Sequence, residues 1–479
     1  MAGFKILLTV SIILSIVNAN RTVFINPNDP WQAFEGWGTS LCWWANVLGG
    51  VPDVRNYSAD LVFDLNKGLG LNVIRYNIGG GENPLHHHMR LGNDVPGFLP
   101  CEACDYNWTS DANQRWILFA ARERGANIFE AFSNSPPYWM TISNCSSGGY
   151  QSANNLNPNY FDAFAKYLTD VVKWYSIQGL TFRTLEPFNE PSGDHFWQEY
   201  GRQEGCSYSC AEMNIIIKKV GVYLKDKGLS NKTSISAVDE NIFDQEVSTI
   251  ECIDNNAKSY VSQYNTHAYG GNQRPELLNI SKQDGKKLWM SEVGLMVSRE
   301  PSDMSTSIIL SEKILNDMRN LKPAAWIYWQ AIEDMEYAYD WGLIGVNFSN
   351  STSPLNIRLA FYGFAQYTKF IRPGYQIIYS NDNDTLSAYH ASNQTLVIVC
   401  TNKNNISEVW SLDVSMFNVG SFTAFRTSSN NETLTKLPNT WNITNSTLTY
   451  LSPANSITTW VFSSTIPKNN SADGMKAYL

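Results

Sequence analysis

Between residues 33 and 330, apolar runs of extended character alternate with segments whose apolar residues recur at helical spacing. The runs are AFEGWGTSLCW, NVIRYNI, ANIFEAFSNS, TFRTLEPFNE, TSISAVDE, SQYNTHAYG, KLWMSEVG and AAWIYWQ, eight in all. Amphipathic stretches such as NYFDAFAKYLTDVVKWYSIQG from Asn159 and SIILSEKILNDMRNL from Ser307 lie between them. Parallel strands need a crossover, and a helix is the usual one, so eight such repeats predict a (β/α)8 TIM barrel over 34–374.

After about Tyr375 the texture changes to short alternating strands, YQIIYS, TLSAYHA, QTLVIVCTN, FTAFRTS, TLTYL and SITTWVFS, parted by Asn, Ser and Asp turns. This pattern predicts an all-β sandwich as a side domain over 375–466. The stretch RTVFINP precedes the first barrel strand and has no barrel role, so residues 20–33 are expected to join the sandwich. Residues 467–479 read as a disordered tail.

The opening MAGFKILLTVSIILSIVNAN has one lysine, an apolar stretch from Ile6 to Val17, and Val17 and Ala19 at positions that suit signal peptidase. Residues 1–19 are therefore expected to be a secretory signal, and no later segment approaches the ~20 apolar residues of a membrane span. Glycosylation sequons run from Asn56 to Asn469 and cluster after Asn347, which fits a secreted, extracellular address or a lysosomal or vacuolar lumen. Eight cysteines in such a compartment favour disulfides, with Cys101/Cys104 and Cys206/Cys210 the simplest local pairs; Cys400 reads as a free core thiol. CEAC lacks the second half of a zinc site. The net charge of −9 argues against nucleic acid or an anionic membrane as partner.

Active sites of such barrels are built at the C-terminal ends of the strands. Glu190, in TLEPFNEP, ends the fourth strand and Glu292, in LWMSEVG, ends the seventh. Asn-Glu-Pro is also ordinary loop chemistry, but two carboxylates from strands three apart face each other across the barrel mouth, as glycoside hydrolysis requires. Arg75 lies inside an apolar strand and must have an anionic partner there.

With FNEP followed by SEVG, and with FEGWGTSLCWWANVLG, IRYNIGGG, SNSPPYWMT and QEGC, the chain resembles glycoside hydrolase family 30, and within it the endo-β-1,6-galactanases. The resemblance covers essentially the whole mature chain. It implies that Glu190 is the acid/base and Glu292 the nucleophile of a retaining enzyme that acts on an oligo- or polysaccharide as a monomer, with no cofactor and no catalytic metal. It further implies that Asn189 binds the sugar 2-hydroxyl, that Arg75 keeps Glu292 ionised, and that His267 and Tyr269 shape the subsite. Trp139 and one of Trp326 and Trp329 would be its aromatic walls. The spacing of three puts Trp326 and Trp329 on opposite strand faces, so only one points inward.

One of Trp43 and Trp44 is expected to line the cleft. His86, His87 and His88 are adjacent and cannot all converge on one ion; their loop, with Asp94, reads as a cleft wall that could sense the sugar 4-hydroxyl. Glu186, Asp239 and Glu240 are further acids near strand ends. A β-1,6-glucanase, a glucosylceramidase-like glucosidase, a xylanase and a catalytically dead sugar-binding protein are the rival readings.

Overall fold

The computed structural model of the chain describes residues 18–193, 196–296, 300, 303–337, 340–350 and 354–468. Residues 1–17 of the expected signal and 469–479 of the expected tail lie outside them. Pro467, where the tail was expected to begin, pairs with Phe417, and the Lys468 amide donates to the Met416 carbonyl at 2.7 Å.

The barrel strands are β2 (Gly36–Ser40), β3 (Val73–Asn77), β4 (Ile128–Phe132), β5 (Thr184–Glu186), β6 (Ser234–Ile242), β7 (Val261–Gly270), β8 (Lys287–Glu292) and β9 (Ala325–Tyr328), preceded by β1 (Asn18–Ala33). They pair in parallel and in chain order, and β9 closes onto β2 through Gly36↔Ala325 and Trp37↔Trp326. Helices cover the outer face, so both faces of the strands are buried and the sequence reads as continuous apolar runs. The helix Cys210–Asp226 shows the local logic. Ser209 and Glu212 form a capping box at its start, and Met213, Ile216, Ile217, Val220 and Leu224 form its buried face.

Side-chain parity along the strands separates two environments. Val73, Trp289, Ala325 and Ile327 fill the barrel interior, whereas Ile74, Tyr76 and Trp326 pack outward beneath the helices. Arg75 shares parity with Val73, and Trp329 with Ile327, so both point to the barrel axis.

Beyond the barrel the largest sheet has ten strands, with β1 between its two halves. Residues Arg21–Phe24 run parallel to Trp410–Asp413, and Ile25–Ala33 run antiparallel to Gln376–Ser380 with register shifts on either side of Pro30. Arg21 anchors β1: its guanidinium binds Asp382 and Asp384 and lies 4.4 Å over the ring of Trp410. The central strand Thr395–Asn402 is buried on both faces. Leu396, Ile398 and Cys400 belong to the sandwich core, while Val397 and Val399 join the barrel core. The apolar helix Leu359–Thr368 lies between sheet and barrel, with Phe364 edge-on to Trp37 and Gln366 hydrogen-bonded to Thr427 and Thr459.

Disulfides join Cys101 to Cys104 and Cys210 to Cys252. The expected Cys206–Cys210 pair does not form. Cys210 opens a helix whose first turn meets the end of Phe243–Cys252, and Cys206 stays a buried thiol before the cap. Cys400 is free and buried.

Candidate active site

Glu292 is the last residue of β8, and Glu190 lies four residues beyond the end of β5. Glu190 and Asp239 both take left-handed backbone, with φ of 48° and 66°. For non-glycine residues this costs of order 1–3 kcal/mol each. The Glu190 amide donates to the Asp239 carbonyl at 2.9 Å, which holds the two turns together. The Glu190 carbonyl in turn accepts from the Trp197 indole at 2.9 Å.

The two carboxylates share one site. An oxygen of Glu190, a ring nitrogen of His267 and an oxygen of Glu292 all lie within 4.8 Å of one another. Glu190 Oε1 accepts from Asn241 Nδ2 at 2.6 Å, and His267 Nδ1 is 3.0 Å from the same oxygen. Glu292 accepts from Arg75 Nη1 at 2.8 Å and from the Tyr269 hydroxyl at 3.0 Å. The donors are unequal: both face the His267 ring, and beyond it Glu292 takes a guanidinium and a phenol where Glu190 takes an amide.

Beneath them Arg75 is fully buried and serves three acids. Besides Glu292 it binds Asp239 through Nη2 and Glu130 through Nε at 3.2 Å, with Phe132 4.1 Å below its plane. Burial alone would raise every carboxyl here. Asp239 is nonetheless held below the usual range by Arg75 and His267. Burial pushes Glu292 up to about 7 against the pull of His267 and Arg75. His267 is pushed well up, because Glu292 and Asp239 outweigh the effect of its burial.

The cleft above the pair has a volume of about 420 Å³ and is lined by Asn189, Glu190, Asn241, Tyr269 and Glu292, by Arg90, Asn134, Arg202 and Gln203, and by the rings of Phe196, Trp197, Trp329, Tyr337 and Trp341. Asn189 is 3 % exposed and its Oδ1 is buried without a partner, a vacant acceptor beside the carboxylates.

The fold thus brings Glu190, Glu292, Asn189, Arg75, His267, Tyr269 and Trp329 together. It leaves out Trp326, Trp139 and Asp94, and neither Trp43 nor Trp44 lines the cleft as expected. Trp326 faces outward and donates to Asp317 at 3.0 Å. Trp139 donates to the Leu99 carbonyl at 2.8 Å and packs on Tyr160, in a separate groove. Asp94 is half-buried near Glu82 and His87, outside the cleft lining, and burial raises its carboxyl. Trp43 is fully buried and supports Trp329 edge-on from behind, while Trp44 packs under Phe63. Of the further acids, Glu186 is buried and pushed well up, Glu240 is held by Ser192 and Thr249, and Asp239 pairs with Arg75, so none opens to the cleft.

Asn241, Trp197 and Trp341 carry no mark in the sequence reading. Asn241 follows the acids Asp239 and Glu240 near the C-terminal end of β6, and that position at a strand end was the available signal. Trp197 and Trp341 sit on irregular loops, where periodicity says nothing about direction.

The family described as O-Glycosyl hydrolase family 30 matches residues 20–269. An endo-β-1,6-galactanase of Hypocrea rufa is 35 % identical over 411 residues, covering 80 % of this chain and 81 % of that one. An exo-β-1,6-galactobiohydrolase of Bifidobacterium longum is 25 % identical, covering 83 % of this chain and 35 % of its own length. Among solved structures, a conserved exported protein from Bacteroides fragilis superposes with a TM-score of 0.77 at 21 % identity, over 92 % of this chain and all of that one. Among the described residues, no helix is long and apolar enough to cross a membrane.

Proposed function

Because the chain belongs to glycoside hydrolase family 30, we propose that it is a secreted, monomeric enzyme that cleaves β-1,6-linked galactan, such as the side chains of arabinogalactan, with retention of configuration. The observation that carries the mechanism is the carboxylate pair. Oxygens of Glu190 and Glu292 lie within 4.8 Å. Retaining glycosidases hold their carboxyls ~5–5.5 Å apart, whereas inverting ones need ~6.5–9.5 Å to admit a water.

The unequal donors support the roles. Glu292, held by Arg75 and Tyr269, attacks the anomeric carbon as a carboxylate and forms a glycosyl ester while the Glu190 carboxyl protonates the leaving oxygen. Glu190 then takes a proton from water as that water displaces Glu292. The vacant Asn189 acceptor suits the sugar 2-hydroxyl, and the rings of Trp329, Trp197 and Trp341 suit the apolar faces of pyranoses.

The galactan reading draws on the likeness to the Hypocrea rufa enzyme. Galactose and glucose differ in the 4-hydroxyl, and leaving a buried polar partner unpaired costs ~1–3 kcal/mol, so one to two decades of preference are expected. The test is kcat/KM on β-1,6-galacto-oligomers against the matching gluco-oligomers and glucosylceramide, with NMR of the first-formed anomer. A higher value on either glucose substrate removes the galactan reading, and an inverted first product removes the mechanism.

A further inference from the structure

The HHH stretch at His86 has no part in the carboxylate chemistry, yet the fold treats its three rings differently. The segment is not helical, and residues two apart fall on one side of it. His87 turns outward to Glu82, with Nδ1 2.8 Å from Oε2. His86 and His88 turn the other way, stack with centroids 5.6 Å apart, and both meet the ring of Tyr200 edge-on. On that side they meet Cys145, a free thiol that is 1 % exposed. One ligand atom from each of His86, His88 and Cys145 lies within 4.8 Å of the other two.

Two details prepare these rings as ligands. His88 Nδ1 is 2.6 Å from the Gly201 carbonyl. A carbonyl only accepts, so Nδ1 carries the proton and Nε2 keeps a free lone pair, the outer hydrogen bond that metal-bound histidines usually have. His86 Nδ1 is buried and has no hydrogen-bond partner. A buried imidazole nitrogen left unsatisfied is costly, and a cation would satisfy it.

We propose that His86, His88 and Cys145 form a binding site for one zinc ion, separate from the carboxylate pair. Two imidazoles and a thiolate are the donor set of a borderline-soft ion, and water completes the tetrahedron. With Zn–N of ~2.0–2.1 Å and Zn–S of ~2.3 Å, tetrahedral ligand atoms are roughly 3.3–3.8 Å apart, so the three side chains need to close by no more than about 1.5 Å on binding. The Cys145 thiol gives its proton to solvent as the Zn–S bond forms.

The ligands come from two loops, after β3 and after β4, and the Gly201 carbonyl that orients His88 comes from a third, after β5. Arg90 of the first loop and Trp197, Arg202 and Gln203 of the third line the cleft. Zinc therefore acts as a clamp on one wall of the cleft, at a distance from the reacting atoms.

The experiment is titration of the chelator-stripped protein with Co²⁺ as a visible probe, then with Zn²⁺. One equivalent of Co²⁺ with a thiolate-to-cobalt charge-transfer band is expected, displaced by Zn²⁺, lost in Cys145→Ser, weakened at least tenfold in His88→Ala and kept in His87→Ala. Absence of the band, or its survival in Cys145→Ser, overturns the proposal. Zinc-edge X-ray absorption on the loaded wild-type protein needs no variant to fold. One sulfur neighbour is expected there, and a shell of nitrogen and oxygen alone overturns the site. These readouts stand apart from catalysis, so failure of the galactan assay leaves them intact.

Discussion

Arg75 Nη1 donates to Glu292 Oε2 at 2.8 Å, while the same guanidinium holds Asp239 and Glu130 inside the barrel. One buried cation thus compensates three carboxylates. Arg75→Ala takes the guanidinium from all three, of which only Asp239 and Glu292 keep the His267 ring as a neighbour, and removing one partner of a buried ion pair costs ~3–5 kcal/mol, so a large loss of melting temperature is expected. Arg75→Lys keeps the charge and loses the planar fork. In that variant Glu292 takes up a proton more readily, so the acidic limb of the kcat/KM profile moves to higher pH. A limb that stays in place would show that Arg75 does not hold Glu292 ionised.

Removing either glutamate should abolish most turnover, and small anions should restore it with opposite stereochemistry. In Glu292→Ala, azide takes the place of the missing nucleophile and gives the α-glycosyl azide. Glu190→Ala still forms the glycosyl ester from substrates with good leaving groups, and azide then gives the β product. General acid–base assistance is worth ~10²–10⁴-fold, the expected loss for Glu190→Ala on poor leaving groups. Exchange of the two products would exchange the roles.

Stability should fall as pH rises from acid to mildly alkaline. Burial pushes Glu186, Glu204 and Glu246 well up, and Asp111, Glu292 and Glu333 up to about 7. His267 is also raised, by Glu292 and Asp239 against its burial. A group raised in the folded state binds its proton more tightly there than in the unfolded chain, so its contribution is complete below the unfolded value and lost as pH rises through the folded one. Asp239, held low, has its effect below the unfolded carboxyl value and leaves this interval unchanged. A melting temperature several degrees higher at about pH 5 than at about pH 8 is expected by calorimetry. A rise over that interval would mean that these acids are ionised in the native state.

The Cys210–Cys252 bridge closes a sequence separation of 42 residues. Chain entropy for such a loop gives about 4 kcal/mol. Cys252→Ser should lower the melting temperature by several degrees, whereas Cys206→Ser, which removes an unbridged thiol, should change it far less. Equal effects would show that the bridge does not form.

Truncation at Tyr375 should give an insoluble or inactive fragment. It removes the strand Gln376–Ser380 that pairs with β1, and it uncovers the apolar surface under Val397 and Val399 and around the helix Leu359–Thr368. Unpaired edges and exposed patches of this kind aggregate. A soluble and fully active fragment would show that the barrel is independent of the sheet.

The eightfold alternation of apolar runs and amphipathic segments determined the barrel by itself, because burial on both faces and helical crossovers leave a period that local residues carry. The same local logic placed Glu190 and Glu292 at the C-terminal ends of strands, where a parallel barrel puts its chemistry. Parity determined that Trp326 and Trp329 point apart, but only closure of β9 onto β2 decided which of them faces the axis. Other outcomes needed distances between residues far apart in sequence. Asn241 reaches Glu190, Trp139 turns into its own groove, and Cys210 finds Cys252 in preference to Cys206. His86 and His88 meet Cys145 because three loops fold over one rim of the barrel, and loop direction is set by packing and hydrogen bonds that no periodicity in the chain records.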